Sequence, residues 1–552
     1  MIKIKKVVSL IEDNIGSLEK DEKDFLENLE DKGWISKDRI CLRAIVIKWL
    51  LLHSEEFEYF KNKVFYVNNV SITGQLDIEY LKVDFPLVFI DCHFESGINL
   101  MISTIKSLFL LTCEVEKLIN LTGARIDGQF NCRGTLINGS AIDDENGDKY
   151  SVIADNLIVT GNVFFNLSDK KPFVAKEEVS INGIQISGTL DCSGSFFEKG
   201  INAQSAQIKQ SVFMRDGFKA SGEIDLLGAY IKGSLDCGSG IFNNPNGIAI
   251  KGSRMMVDGT VFFDAYKDDE NTVGKNIRID GIVDFKGAEI TKSFKLKSVE
   301  KTDNYKLNLT NAFIHTLEDE NTGWPPKGNL ILDGFIFENI SNESPRKHEE
   351  RLKWLGLQKK ETEFTPQPYR QLANVLDNLG LEKDAREIRI AMNNEIRNKS
   401  QKWKQKFWLG FSGMLIGYGY KPFKVLKFAL VIWLLGTLFY IAGDEYKLIQ
   451  PPSKFAYKNY SDSCKLDVLE PFDYYPKFNP LVYSLDVFLP IVNLHQEENW
   501  RPVSNKKDSQ FYEIFNIKGG GLLNLWMYFQ ILSGWFLTTM LVGGISGLVR
   551  DK

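Results

Sequence analysis

A seven-position frame, I/V-x-G-x-[LVF]-x-apolar, returns along this chain at intervals near 22 residues, and that return constrains the fold more than any other feature. Seven rows lie between Ile126 and Leu296: Ile126/Phe130/Cys132, Val159/Val163/Phe165, Ile186/Leu190/Cys192, Ile208/Val212/Met214, Ile231/Leu235/Cys237, Val257/Val261/Phe263 and Ile290/Phe294/Leu296. An earlier row is Ile72/Leu76/Ile78. Glycine takes the third position at 74, 128, 161, 188, 233 and 259, while Gln210 and Lys292 replace it in two rows, so it is preferred but not obligatory. Row starts from 126 are 33, 27, 22, 23, 26 and 33 residues apart, the long gaps holding insertions such as DDENGDK and DDENTVGK. Alternation within a row is that of a strand. Short strands at this interval, without a helical period between them, predict a solenoid in which each turn buries its apolar face on its neighbours. The fold class expected is mainly β, a parallel β-helix of pentapeptide-like type.

This frame explains why LDCSGSFF (190–197) and LDCGSGIF (235–242) are near copies. Cys192 and Cys237 fall in one inward column with Met214 between them, about 10 Å apart at ~4.8 Å per coil. A disulfide needs Cα atoms within about 7 Å. The column Cys132, Phe165, Cys192, Met214, Cys237, Phe263 therefore reads as core filling, with free thiols as small apolar groups. Cys92 and Cys113, 21 apart, are expected to continue that ladder on the N-terminal side. Ten to twelve coils would make a rod about 50 Å long.

A solenoid exposes sheet edges at both ends, so its flanks should cap them. Residues 1–65 are expected to form a helical N-terminal cap, with Ile40, Ile45, Leu50 and Leu51 of DRICLRAIVIKWLLL on a buried helix face, and 66–340 the solenoid. Residues 345–406 read as a helical hairpin and linker: Tyr369, Leu372, Ala373, Leu376 and Leu379 share a face, Gly380 turns the chain, and Ala385 and Ile388 return. The spacing resembles a single tetratricopeptide unit, which cannot form a peptide groove alone; a spacer or cap is expected.

Two stretches are long and apolar enough to span a bilayer: one within 407–443, following an amphipathic segment, and one within 522–552, where residues 522–549 carry no charge. No acidic residue stands between Glu395 and Asp444, whereas Lys399, Lys402, Lys404, Lys406, Lys421, Lys424 and Lys427 crowd the first span. The positive-inside bias places that side, Arg550 and Lys552 in the cytoplasm, and the 444–521 loop outside. The basic run would also grip anionic head groups of the lipid bilayer. The N-terminal apolar run is too short for a signal peptide, so both termini are expected in the cytoplasm, with reduced thiols.

The loop segment LVYSLDVFLPIVNLHQEENWRP, residues 481–502, holds the candidate functional residues Asp486, His495, Glu497, Glu498, Trp500 and Arg501. Three readings stay open: an interfacial helix anchored by Tyr483, Phe488 and Trp500; a re-entrant segment in which Asp486, Glu497 and Glu498 attract cations; or a folded loop. No TVGYG-like run of carbonyls follows it, so potassium selectivity is not expected.

Taken together, DRICLRAIVIKWLL, SITGQLDIEYL, FPLVFIDCHF, the GAxIxGxLxC-type repeats, PQPYRQLANVLDNLGLEKDAREIRIA, GYGYKPFKVL, YSLDVFLPIVNLHQEENWRP and WFLTTMLVGGISGLVR resemble bacterial membrane proteins with a pentapeptide-like β-solenoid. Proteins of that kind often carry the automated name membrane-associated oxidoreductase. The resemblance covers nearly the whole chain and implies a location in the bacterial inner membrane. It does not bring a redox centre: GxGxxG after a strand, CxxC, GxxxxGK[ST], HExxH and GxSxG are all missing, and no cysteine pair is expected within bonding reach. Five histidines and seven cysteines are too scattered for a zinc site of ordinary spacing. Asp143, Asp144, Glu145, Asp148, Asp268, Asp269 and Glu270 lack the pattern of a calcium loop and read as solvated insertions. With 67 basic against 72 acidic residues, no field favours nucleic acid.

No enzyme activity and no cofactor are expected. Two functions are: a membrane-anchored cytoplasmic solenoid acting as scaffold or sensor for an unidentified protein partner, and an oligomeric two-span ion channel or membrane effector gated by the solenoid, with the chain forming a homo-oligomer.

Overall fold

Four short strands per turn, each hydrogen-bonded to its counterpart one turn away, build a parallel β-solenoid of about eleven turns. The computed structural model describes residues 7–32, 34–56, 64–139, 149–266, 274–358, 364–452, 471, 473–503 and 519–548. The insertion carboxylates Asp143, Asp144, Glu145, Asp148, Asp268, Asp269 and Glu270, together with Cys464, Arg550 and Lys552, lie outside the described residues. The chain divides into two units, residues 1–388 and 389–552.

One coil shows the plan. Arg125–Ile126 pairs with Ile158–Val159, Phe130–Asn131 with Val163–Phe164, Leu136–Ile137 with Val174–Ala175, and Tyr150–Ile153 with Glu178–Ser180, all parallel and in register. The repeating frame is therefore two strands joined by a corner, with the glycine at the bend. Its reason is close approach between coils. Gly161 donates its amide to the Gly128 carbonyl at 2.8 Å, and Gly188 to the Gly161 carbonyl at 3.0 Å. A Cβ at Gly161 would stand 2.5 Å from the Gly128 oxygen, and one at Gly188 would stand 2.7 Å from the Gly161 oxygen. A second corner carries one left-handed residue per coil, eleven in all from Tyr80 to Gly334.

The expected column exists. Cys132, Phe165, Cys192, Met214, Cys237 and Phe263 are all buried and follow one another coil by coil. Towards the N-terminus, however, it continues through Leu110, Phe89 and Val67. Cys92 and Cys113 belong to a different column, one corner on, followed by Thr135, Phe173 and Ser195. Their 21-residue spacing matched the coil length, but any residue on any face shares that period. They also stand on adjacent coils, so a cysteine pair lies closer than the sequence suggested, with Cys92 donating to the Ile90 carbonyl at 3.3 Å and Cys113 to the Phe89 and Leu111 carbonyls at 3.4 Å. Burial pushes the Cys113 thiol well up, as it does Cys192 and Cys237, which keeps these groups protonated and unreactive. Beside the mixed column runs a phenylalanine stack, Phe173, Phe197, Phe218 and Phe242, with successive centroids 5.4, 5.8 and 5.3 Å apart.

The N-terminal cap differs from the expected helix. Ile40 lies in a strand, β1 (Trp34–Arg43), which pairs in parallel with β2 (Phe65–Thr73), so the coil begins before residue 66. The helix α3 (Ala44–Leu52) starts only afterwards, preceded in sequence by α1 (Val7–Ile15) and α2 (Lys20–Lys32). Ile45 is consequently exposed, while Val46, Ile47, Trp49, Leu50 and Leu51 are buried. Arg43 locks this end, donating Nε and Nη2 to the buried Glu22, each at 2.8 Å.

At the other end the core column runs from Phe263 through Leu296 to Asp319, a carboxylate where every earlier coil is apolar. Arg351 from α4 (His348–Leu355) meets it with two bonds of 2.8 Å, Trp324 Nε1 donates at 2.7 Å, and both charged residues are buried. The hairpin forms as expected, α5 (Gln367–Asn378) and α6 (Glu382–Lys399) meeting at Gly380, with Tyr369, Leu372, Ala373, Leu376, Ala385 and Ile388 buried and Leu379 half-buried. It is a cap: Gln367 and Gln371 donate to the Phe335 and Phe337 carbonyls at 2.9 and 2.7 Å, covering the last coil's edge.

In the second unit α7 (Trp403–Ile416) ends at left-handed Gly417, and α8 (Val425–Glu445) follows. Then come α9 (Pro480–Phe488), α10 (Gln496–Asn499) and α11 (Gly519–Ile545). Pro422–Glu445 and Gly520–Ile545 are long and apolar enough to cross a membrane. Leu426, Leu430, Val431, Leu434, Leu438, Leu525, Leu532 and Trp535 face outward, far more apolar surface than water tolerates on a monomer.

Candidate functional site

The candidate residues gather around α9, which the sequence places between the two apolar helices and the structure packs against both. Asn479 starts it by accepting the amides of Leu481 and Val482, with Pro480 in the first turn. One side of α9 is fixed by a polar chain. Ser484 Oγ donates to the Trp433 carbonyl at 2.8 Å, Gln530 Nε2 donates to both the carbonyl and the hydroxyl of Ser484 at 2.8 Å, and Tyr440 Oη donates to Gln530 Oε1 at 3.0 Å. Gln530 and Tyr440 are fully buried. Small residues make the approach feasible: a Cβ on Gly436 would strike Ser484 and Gln530, and one on Gly534 would strike the Phe488 carbonyl.

Apolar contacts extend this wedge. Tyr483 and Val487 pack with Tyr440, Leu523, Met527 and Trp500, while Phe488 packs with Leu415, Ile416, Val425 and Leu537. Gly534 stands fourteen residues in from Gly520, about 21 Å at 1.5 Å per residue. The segment thus packs between α8 and α11 before turning back. Tyr483, Phe488 and Trp500, the anchors named for the interfacial reading, are all buried in protein. Trp500 donates Nε1 to the Pro476 carbonyl at 3.0 Å and stacks against Tyr475 and Phe478.

Asp486 has a different role from a free cation attractor. Its carboxylate is buried and accepts three backbone amides of the returning chain, Leu494 at 2.6 Å and Gln496 and Glu497 at 2.8 Å. It ties the descending helix to the ascending loop. Glu497 sits beside it, and burial followed by the Asp486 charge pushes its carboxyl up. Glu498 is exposed, accepts from Asn493 Nδ2 at 2.8 Å, and is held down by that bond and by His495. His495 is exposed, in a left-handed conformation at φ 60°, 3.4 Å from Glu498. Arg501 lies in a two-residue strand paired with Ile449–Gln450. Asp486, Glu497, Glu498 and Arg501, with Leu489–Asn493, line a cavity of about 320 Å³; His495 and Trp500 do not.

Sequence reasoning missed Ser484, Tyr440 and Gln530, though an amide in the middle of an uncharged 28-residue run was a signal. Elsewhere among the described residues, two groups of side chains approach the geometry of metal ligands. In one, Asp384 is already engaged by the His348 amide and Nδ1. In the other, His93 stands 3.4 Å from Glu114 and 3.8 Å from Glu116 on the next coil, all three partly exposed. No protein family, curated protein or solved structure matches the chain.

Proposed function

We propose that residues 389–552 form one subunit of an oligomeric pore in the bacterial inner membrane, with the cytoplasmic solenoid as its sensing or partner-binding arm. The observation that carries this reading is the irregular backbone of Leu489–Leu494, which turns beside Gly534 and exposes Ile491 and Val492. Non-helical backbone at that depth is tolerated only where it is covered by protein or lines water. Further copies of the chain supply both conditions at once, placing the turns around a shared aqueous path. The carboxyl end of α9 directs its partial negative charge towards the turn, and Glu498 adds a full one, so the path favours cations. Selection would come from acidic side chains, since no carbonyl-lined filter sequence is present. No catalytic step is part of this reading, and the resemblance to bacterial membrane solenoid proteins agrees with it.

The anchored scaffold is the second reading, favoured by the rod itself: eleven rigid coils hold outward side chains on a fixed grid suited to a protein partner. Conductance separates the two. Purified full-length protein in planar bilayers is expected to pass cation-selective current, with the reversal potential moving towards the anion side in Glu498→Lys. A folded oligomer that passes no current, or a protein monomeric in nanodiscs, overturns the pore and leaves the scaffold.

A further inference from the structure

The helix α7 carries an aromatic face that no described residue of its unit covers. Trp403 is 74% exposed, Phe407 60%, Trp408 59% and Met414 55%. At 100° per residue, Trp403, Phe407, Phe411 and Met414 fall within about 80° of arc. Lys402 and Lys406 flank that stripe on one side and Lys404 on the other, all exposed. The carboxyl end is different: Leu415 and Ile416 are buried in the cluster that holds Phe488, Val425 and Leu537, and Phe411 stacks on Phe536 at 5.7 Å. One end of α7 is fixed to the spans while the other presents rings and ammonium groups outward.

We propose that α7 lies in the head-group layer of the cytoplasmic leaflet and binds anionic phospholipid. Four features converge on that occupant. The helix leads within nine residues into α8, so its exposed face starts at membrane level if α8 crosses. Tryptophan and phenylalanine on one face flanked by lysines is the pattern of an interfacial helix, in which the rings enter the acyl boundary and the lysine stems snorkel to phosphate. No carboxylate between Glu395 and Asp444 opposes the attraction. The same helix touches, through Ile416, the cluster at the inner end of α9, so lipid composition bears on the re-entrant segment. The lipid assignment rests only on the crossing of α8; the effect on α9 rests on the pore reading.

The test uses the full chain in nanodiscs containing a minor fraction of lipid with brominated acyl chains, on either phosphatidylcholine or phosphatidylglycerol. Quenching due to α7 is the difference between the wild type and Trp403→Phe/Trp408→Phe. It is expected to be roughly twofold or more stronger with brominated phosphatidylglycerol. Lys402→Gln/Lys404→Gln/Lys406→Gln should equalise the two lipids while preserving the quenching. No α7-dependent quenching with either lipid would mean that protein covers the face. Equal quenching in the wild type would mean insertion without head-group recognition. Either result overturns the proposal, and neither reads conductance, so the pore stands or falls separately.

Discussion

The solenoid and the second unit, residues 389–552, solve burial in opposite ways. In the solenoid the interior is apolar and its members are interchangeable: cysteine, methionine, phenylalanine and leucine succeed one another in a single column, because the coil-to-coil backbone ladder does the positioning. In the second unit the outer surface of the two long helices is apolar and a few buried polar groups do the positioning, each with named partners: Ser484, Gln530, Tyr440 and Asp486. A substitution in the first should be judged by volume, and one in the second by which hydrogen bond it orphans. The mixed column departs from this at the rod's end, where Asp319 and Arg351 bring the logic of the second unit into the solenoid core.

That exception gives the largest expected effect. Arg351→Ala leaves the Asp319 carboxylate buried with only Trp324 facing its charge, and breaking a buried pair in this way costs about 3–5 kcal/mol. Asp319→Leu/Arg351→Met restores an apolar column and should recover most of that loss. Urea unfolding of residues within the full chain, followed by tryptophan emission, reads both variants. Equal damage in the single and double variants would show that the last coil requires charge, against the volume rule.

Asp486→Ala comes next. It removes the acceptor of three amides, a loss of about 3 kcal/mol after the loop relaxes towards water. The expected signs are a lower thermal midpoint in detergent and faster proteolysis within residues 489–499. Asp486→Asn, which keeps one acceptor oxygen, should fall between. If Asp486→Ala leaves stability unchanged and alters only conductance, its carboxylate serves an ion and not the loop.

The difference between the regions also decides what was legible beforehand. Solenoid, coil period and the mixed column were written in the recurrence of Ile126, Phe130, Cys132 and their counterparts, because a repeated environment repeats its residue type. Column membership beyond the frame was not legible: Cys92 and Cys113 share the period of every face, and only the corners decide which face they take. The helix start at Ala44 was hidden because Ile40 to Leu51 is apolar under either a period of two or 3.6. At the candidate site the residue types were visible but their duties were not. Only one of the three readings left open gives Asp486 a duty, attracting cations, whereas its amide partners lie eight to eleven residues ahead, at a distance that no local rule covers.

Corner glycines test the volume rule at its strictest. Gly161→Val forces a side chain against the Gly128 carbonyl and should cost about 1–3 kcal/mol, as overpacking does. The rows with Gln210 and Lys292 show that a corner can adapt, so the same change at Gly74, where a Cβ meets no neighbour, makes the control for crowding apart from its positive φ. Asp264→Asn tests the rod's electrostatics with opposite sign. Burial and the neighbouring Asp236 push the Asp264 carboxyl up to about 6 from 3.8. The folded state then holds more protons than the unfolded chain between pH 4 and 6, so stability falls as pH rises through that window. The amide removes the penalty, giving about 1–2 kcal/mol at pH 7.5 after discounting for solvent, and nothing near pH 4. A thermal midpoint gap that is the same at both pH values would remove this account.

The smallest effect is the one that tests interchangeability directly. Cys237 lies between Met214 and Phe263, with its thiol buried and protonated. Cys237→Ala deletes one sulfur-sized group from a stack whose backbone is held by the neighbouring coils, so the loss should be about 1 kcal/mol, the scale of removing a single buried methyl group. Reductant or mild peroxide should move the unfolding midpoint of the wild type no further than that of Cys237→Ala, since a thiol with no thiolate character and no solvent path does not react, whatever the exposed Cys41 does. A loss several times larger, or a shift on oxidation that the wild type shows and Cys237→Ala lacks, would mean that this position is chosen for its sulfur. Volume would then cease to be the rule for the rod, and the contrast between the two regions would narrow to the geometry of their backbones.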